Sequence, residues 1–438
     1  MKNIGLYLSD YLLILLSKGL VIAINFVSSI ILVKYFGKEL YGKYQYIISI
    51  SILLSVFINF GYDRVMIKEI NSKRFKLPSL VTSLIVLKLF GSIVILILGF
   101  FFLKLFHKHN LEYLFLLVIF SLILSSFSLK LVFESRNLNK YIFFSAIFSS
   151  FFSLMLKIYL VIIQADINLF GLSLILEIIL SNLIMLFFFL KLRIFFKIKI
   201  NFYIIKEIFR QSLPFALSTI LGILYFYADR VIMGSYEKFN DLAIYTIYAI
   251  FFSSYSILFS SLSTLLTPKL TRVFNQDKKK YFLLVQNFLS LSFIFSIIIS
   301  LFNIFFLQKI IEIIYGESFK GYGTLIYFFV FNFIVNSGSI FFLDYLLLIN
   351  KSYLAIYTRI VCLLINIFLN FVLIPKYGVY GAALSLFISV LLFSIILNLF
   401  NYHLRCYLIL YFKALKEVFM HPKDIIMISY KFFVKKNK

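Results

Sequence analysis

Long apolar runs separated by short polar connections are the dominant pattern of this chain. Runs of about 20 apolar residues, the length needed to cross a hydrocarbon core of roughly 30 Å, predict helices at 11–33, 44–67, 79–103, 113–133, 141–163 and 169–190. A second set follows at 212–234, 242–266, 281–307, 323–348, 352–373 and 379–400. Strands of a membrane barrel would be shorter, about 10 residues, and would alternate apolar with polar positions, which these runs do not. The pattern predicts an all-α integral membrane protein with twelve transmembrane helices, six on each side of a basic stretch.

Composition excludes water as the solvent for this surface. Hydrophobic residues make up 62% of the 438, the mean hydropathy is +1.01 and 14% are charged, whereas soluble domains keep roughly a quarter of their residues charged. The formal net charge of +25 is distributed unevenly. With the N-terminus inside, the inner segments and tail hold 27 Lys and Arg, the outer connections hold 9, and 7 lie within spans. Cytoplasmic loops retain positive charge, so both termini are expected in the cytoplasm. Inner-leaflet topology accounts for the basic excess, and no nucleic-acid partner is expected.

Lys18 interrupts the first apolar run, which is also too long for a signal peptide and ends without a small-residue cleavage pattern. It reads as an uncleaved helix. The connection 191–211 mixes basic and apolar residues, which suits a segment lying on anionic membrane lipids. The tail after residue 400 has a short apolar run, Tyr407 to Phe412, too brief to span and better suited to an amphipathic helix on the membrane surface. The expected organisation is a first lobe at 1–190, a basic cytoplasmic linker at 191–211, a second lobe at 212–400 and a basic cytoplasmic tail at 401–438.

The two lobes show ordered similarity. Leu40, Tyr41, Gly42 and Tyr44 resemble Leu242, Ala243 and Tyr245, and Leu169, Phe170, Gly171 and Leu174 resemble Val379, Tyr380, Gly381 and Leu384. Both matches lie about 200 to 210 residues apart, an offset of six spans. Because six is even, the lobes share one orientation, and a pseudo-two-fold axis along the bilayer normal is expected. A substrate cavity between the lobes follows from that architecture.

Charges within spans give the candidate chemistry. A charge near a helix centre costs about 2.5 to 3.5 kcal/mol on insertion scales, so each needs a reason. Lys130, Arg64 and Arg230 lie near span ends, where long side chains reach headgroups; Lys18 and Lys88 lie deeper. At 100° per residue, Lys18, Asn25 and Ser29 share one stripe, Ser150, Ser153, Lys157 and Gln164 a second, and Ser352, Arg359, Asn366 and Asn370 a third. Seven basic residues face four acids, Asp63, Glu177, Asp229 and Asp344. The excess predicts a cationic cavity for an anionic group, with Lys18, Asn25, Lys88, Lys157, Arg230 and Arg359 as binding candidates. Asp344, sharing a helical face with Ser337, could take up a proton; Asp229 and Glu177 are the other ion-coupling candidates. Cys362 and Cys406 fit no disulfide or metal spacing. No nucleotide-binding loop, metal-ligand cluster or nucleophile constellation is present, so neither cofactor nor enzymatic chemistry is expected.

Several stretches carry a family resemblance. Ile374 to Ser389, IPKYGVYGAALSLFIS, resembles the eleventh-to-twelfth helix signature of bacterial polysaccharide exporters. KYFGKELYGKYQY from Lys34, GYDRVMIKEI from Gly61, SLPFALSTILGILYFYADRVIMGSY from Ser212 and IYGESFKGYG from Ile314 fit the same family in the right order along the chain. The resemblance is to the O-antigen and capsule flippases of the Wzx type, within the multidrug/oligosaccharidyl-lipid/polysaccharide (MOP) exporter superfamily. It implies a MATE-like fold and a place in the bacterial inner membrane. It further implies alternating-access transport of an oligosaccharide on polyprenyl diphosphate, with polysaccharide polymerase machinery as a partner. Two alternatives stay open. A multidrug antiporter of the superfamily would handle organic cations, which the cationic excess disfavours. A membrane polysaccharide polymerase or ligase commonly needs a sizeable outer catalytic loop, and the longest outer connection here, Gln308 to Tyr322, is about 15 residues.

Overall fold

In hydrocarbon, backbone N–H and C=O groups find no water, so a spanning segment must satisfy them internally. The computed structural model, which describes residues 2–72, 74–107, 110–136, 138–192 and 199–420, follows that rule with helices and no strand among those residues. All twelve apolar runs fold as helix, three of them broken and one carrying a π turn. Nine helical stretches among the described residues are long and apolar enough to cross a membrane, and the first of them, Gly19–Asn59, joins parts of two expected runs. The chain divides into two compact units, Met1–Ala243 and Ile244–Lys438.

The first unit contains α1 (Lys2–Leu54), α2 (Val56–Asn59), α3 (Tyr62–Ser72), α4 (Leu77–His107), α5 (Glu112–Ser125), α6 (Lys130–Ser135), α7 (Asn139–Ile162), α8 (Gly171–Lys191) and α9 (Phe202–Ser235). It also takes the first residues of α10 (Phe239–Gln276). Gly37, with φ 74° and ψ 179°, separates two helical arms of α1. The second apolar run then breaks again at Phe60 and Gly61, both with positive φ. Apolar lipid gives helices no hydrophobic reason to associate, so close packing and hydrogen bonds must hold them. Between α7 and α8 serines do this: Ser145 Oγ donates to the Ser181 carbonyl at 3.0 Å and Ser153 Oγ to the Ser173 carbonyl at 2.9 Å. On the other side of the unit, Tyr62, Val65 and Met66 of α3 pack with Leu80, Leu84 and Leu87 of α4 and with Ile204 and Ile208 of α9.

The second unit contains the rest of α10, then α11 (Lys278–Tyr315), α12 (Leu325–Ser337), α13 (Phe342–Leu348), α14 (Ser352–Tyr377), α15 (Val379–Leu391), α16 (Leu397–Leu399) and α17 (Tyr402–Met420). The expected run 323–348 breaks at 338–341, and a π turn at 392–396 separates α15 from α16. This break corrects one expectation. Ser337 and Asp344 fall on different helices and share no face; Ser337 Oγ donates to Ser296 Oγ at 3.1 Å, whereas Asp344 turns to α10. The α14–α15 joint is Gly378 alone, with φ 56° and ψ −128°, a conformation closed to residues carrying a Cβ.

The tail also departs from expectation. Its described part is a 19-residue helix whose apolar side, Leu404, Tyr407, Leu408, Tyr411 and Ala414, is buried against protein, α11 above all, where lipid was expected to cover it. Its tyrosines serve the break in the preceding run. Tyr407 Oη donates to the Gly338 carbonyl at 2.9 Å and Tyr411 Oη to the Val335 carbonyl at 3.4 Å, supplying donors where the helix ladder stops. Residues 421–438 lie outside the described part of the tail.

Candidate functional site

Irregular backbone at membrane depth is tolerated only where protein buries it or where it lines a water-filled cavity, and transporter sites form at such discontinuous helices. In the first unit two breaks flank α4. One lies at Phe60–Gly61 and the other at 126–129, between α5 and α6. Both are fastened to α4 at neighbouring residues. A Cβ on Gly91 would sit 2.1 Å from the Phe57 carbonyl oxygen, so only glycine admits the α2 backbone there. One residue on, Ser92 Oγ and Ser126 Oγ are 2.8 Å apart. Gly61 faces the other way, where its Cβ would meet Phe215 and Ala216 of α9, next to Pro214.

Lys88 stands one turn before this clasp, and its carbonyl accepts from Ser92 Oγ at 2.9 Å. Eleven residues into α4, it lies about 16 Å from the helix start at about 1.5 Å per residue, roughly half of the hydrocarbon thickness. The residue is 6% exposed. Asp63, at the start of α3, and Lys130, at the start of α6, are the charged groups that act on it electrostatically. Both are exposed, and the Lys88 ammonium makes no ion pair with a described residue. The arrangement is a buried cation, with a carboxylate and a second ammonium further out, held between the ends of two interrupted helices.

A second cluster lies on α7 and α8. Lys157 is 5% exposed and feels the Glu177 carboxylate electrostatically. Ser150 Oγ donates to Glu177 Oε1 at 2.7 Å, and Tyr44, buried on α1, lies within electrostatic reach of the same carboxylate. Ser150, Ser153 and Lys157 of the expected stripe are buried together, whereas Gln164 lies past the helix end, exposed and with φ 52°.

The remaining candidates are dispersed. Asp229 is buried and its Oδ1 accepts the Arg230 backbone N–H at 2.7 Å, while the Arg230 guanidinium stacks 4.8 Å from the centre of the Tyr227 ring. Asn25 is exposed and Ser29 buried on α1; the side chains of Lys18 and Arg64 lie outside the described residues. In the second unit Arg359 is half-buried, and Asn366 and Asn370 are buried and bonded to each other at 3.0 Å. Asp344 accepts from Thr267 and Ser263 of α10. Lys157 thus feels the charge of Glu177, and Lys88 those of Asp63 and Lys130. Tyr44, Ser263 and Thr267 were not foreseen, since lone hydroxyls in apolar runs carry no pattern.

Residues 31–323 match the family of polysaccharide biosynthesis proteins, about two thirds of the chain. The chain belongs to that family. No protein among the curated sequences matches this polysaccharide biosynthesis protein. Among solved structures, its fold is similar to an inward-facing multidrug resistance MATE family transporter of the MOP superfamily, with TM-score 0.62, 12% identity, and 92% of this chain and 95% of that one covered. A point mutant of the MATE transporter VcmN of Vibrio cholerae gives TM-score 0.59 at 14% identity over 94% and 97% of the two chains. The lipid II flippase MurJ in an inward closed conformation gives TM-score 0.54 at 18% identity over 94% and 92%. The polysaccharide biosynthesis protein is therefore a multi-pass membrane protein with the fold of MOP-superfamily transporters and flippases.

Proposed function

We propose that this protein is a flippase that carries polyprenyl-diphosphate-linked oligosaccharide repeat units across the bacterial cytoplasmic membrane by alternating access, for O-antigen or capsule assembly. The observation that carries the reading is Lys88, a cation buried on the long apolar helix α4 without an ion-pair partner among the described residues. A buried charge without a partner is costly, and a diphosphate offers the missing anion through charge-assisted hydrogen bonds. Lys18, Asn25, Lys157, Arg230 and Arg359 are the further binding candidates, and Asp229, Asp344 and Glu177 the ion-coupling ones. The reading places both termini in the cytoplasm and makes polymerase machinery a partner that receives the cargo. A multidrug antiporter for organic cations would share the fold, but a site with an unpaired lysine repels such substrates.

Two lobes of common origin are part of the reading. Positive φ recurs at Gly37 and Glu237, at Asn110 and Gly321, and at Gln164 and Gly378, ahead of corresponding runs. The breaks at 126–129 and 338–341 recur in the same way.

The test is mass spectrometry of lipid-linked sugars in a deletion strain. Undecorated surfaces together with lipid-linked repeat units accumulating on the inner face support the reading. Normal surface polysaccharide, with altered resistance to organic cations, would replace it by the antiporter.

A further inference from the structure

The end of the second unit where α11 passes into α12 and α14 into α15 carries polar and aromatic side chains that the sites above do not use. Gln308, two turns before the end of α11, is their hub. The two hydrogens of its amide go to Glu312 Oε1 at 2.8 Å and to the Phe319 carbonyl at 3.0 Å, and its oxygen accepts from Tyr248 Oη of α10. Across the 316–324 loop, Thr324 Oγ1 donates to Tyr380 Oη at 3.0 Å, and Tyr380 Oη donates to the Gly321 carbonyl at 3.3 Å. The rings of Tyr322 and Tyr380 lie nearly parallel, at 22°, with centroids 6.4 Å apart. Glu312, Tyr322 and Tyr380 all act electrostatically on Tyr248, so the two sets of residues lie close together.

Packing gives no reason for a carboxylate at Glu312. It sits in the last turn of α11, where the helix dipole disfavours negative charge. It forms no ion pair among the described residues, and its Oε2 accepts no hydrogen bond from them. Nor are Tyr322 and Tyr380 placed as interfacial anchors, whose rings lie among lipid headgroups. Tyr327 and Tyr377, 59% and 60% exposed, have the exposure of such anchors. Tyr322 and Tyr380 are half-buried, and the Tyr380 hydroxyl is turned onto the protein. The result is an open carboxylate oxygen, held in place by Gln308, beside two aromatic rings.

We propose that these residues form a binding site for one uncharged pyranose of the transported oligosaccharide, on the face that the proposed topology puts outside. The inference rests on the flippase reading and names the part of the cargo that this site takes. A pyranose has C–H faces, which the negative face of an aromatic ring attracts, and a rim of hydroxyls, which donate strongly to a carboxylate. Tyr322 and Tyr380 meet the first need. Two contacts of about 3.5 to 4.0 Å would require rings about 7 to 8 Å apart, so the pair is a shared platform and not a clamp around the sugar. Glu312 Oε2 meets the second need, and Thr324 Oγ1, with its hydrogen on Tyr380, keeps an accepting lone pair. Gln308 is a positioning residue that fixes the carboxylate. The charge of Glu312 repels a diphosphate or an acidic sugar, which leaves the neutral sugars of the cargo as its ligand.

The test uses the full chain in lipid nanodiscs and saturation-transfer NMR. The probes are methyl glycosides of glucose, galactose, mannose, N-acetylglucosamine and N-acetylgalactosamine, with glucuronic acid as the charged comparison. Transfer to the ring C–H protons of at least one neutral glycoside is expected, and none to glucuronic acid. Glu312→Gln keeps an acceptor but loses the charge, so the neutral sugar should bind about 10-fold more weakly and glucuronic acid should no longer be excluded. Tyr322→Leu removes one aromatic face and should abolish transfer. If Tyr322→Leu does not fold, Glu312→Gln, which leaves both rings in place, decides alone. No transfer to any neutral glycoside in the parent, equal transfer to glucuronic acid there, or transfer unchanged in either folded variant would overturn the assignment. Lipid-linked sugars accumulating in the deletion strain without glycoside binding here would remove this site alone. Glycoside binding without that accumulation would remove the flippase reading and leave the site, so the two fail separately.

Discussion

Replacing Lys88 by methionine keeps most of the side chain's length and removes its charge, which separates a binding lysine from a structural one by the sign of the stability change. If Lys88 were one half of a buried ion pair, losing it would strand a carboxylate and cost about 3 to 5 kcal/mol. Here the ammonium is buried with no ion pair among the described residues, and the nearest acid named by its electrostatics, Asp63, is exposed. Removing the charge then relieves a desolvation penalty of about 2.5 to 3.5 kcal/mol on insertion scales. Part of that penalty is already offset by the Asp63 charge, so a gain of about 1 to 2 kcal/mol is expected. Function should move the other way. One hydrogen bond between charged groups contributes about 1.5 to 3 kcal/mol, or about a 10- to 100-fold loss of headgroup affinity. Thermal unfolding in detergent, read beside polysaccharide export at matched membrane levels, checks both arms. A Lys88→Met variant that is destabilised while exporting normally would refute the reasoning, because it would make Lys88 a structural tie and leave the diphosphate without its anchor.

Gly91→Ala should lower the yield of folded protein in membranes, since its Cβ would lie 2.1 Å from the Phe57 carbonyl oxygen and push α2 off α4; normal yield and export would show that the break at Phe60–Gly61 is indifferent to that contact. Tyr407→Phe leaves the Gly338 carbonyl without its side-chain donor and should cost about 1 to 3 kcal/mol in unfolding measurements, the range for an unsatisfied buried group. A change within error would mean that water replaces the hydroxyl. Reporter fusions at Lys199 should read cytoplasmic and one at Lys320 external, following the 27-to-9 basic split; the reverse pattern would invert the topology.

The helices were legible because apolar run length is a direct statement about the solvent a segment tolerates. The breaks were not. At 126–129 the sequence Ser-Phe-Ser-Leu is as apolar and as free of proline and glycine as a continuing helix, and the Ser92–Ser126 contact that goes with the interruption is tertiary. The same blindness misplaced Asp344: counting 100° per residue from Ser337 assumes an unbroken helix, and Gly338–Ser339 ends it. Lys88 and Lys157 could be singled out because charge in an apolar run is conspicuous. Glu177, on the next run, was also visible as a charge, but the Tyr44 hydroxyl that comes within reach of its carboxylate is on a distant run, and nothing local links the two. In the tail, Arg405, Lys413 and Lys416 argue for a water-facing helix, and only the surface of α11 reveals that the opposite side of the helix packs on protein.

The single-glycine joint at Gly378 bears on how the chain is made as well as on how it stands. Loop tips are where proteases and insertions find purchase, and between α14 and α15 there is almost no loop to offer. With only Gly378 between them, the two helices are expected to enter the bilayer together as one hairpin. A side chain at Gly378 would then act at the translocon, as a biogenesis defect in a protein whose transport machinery is otherwise intact.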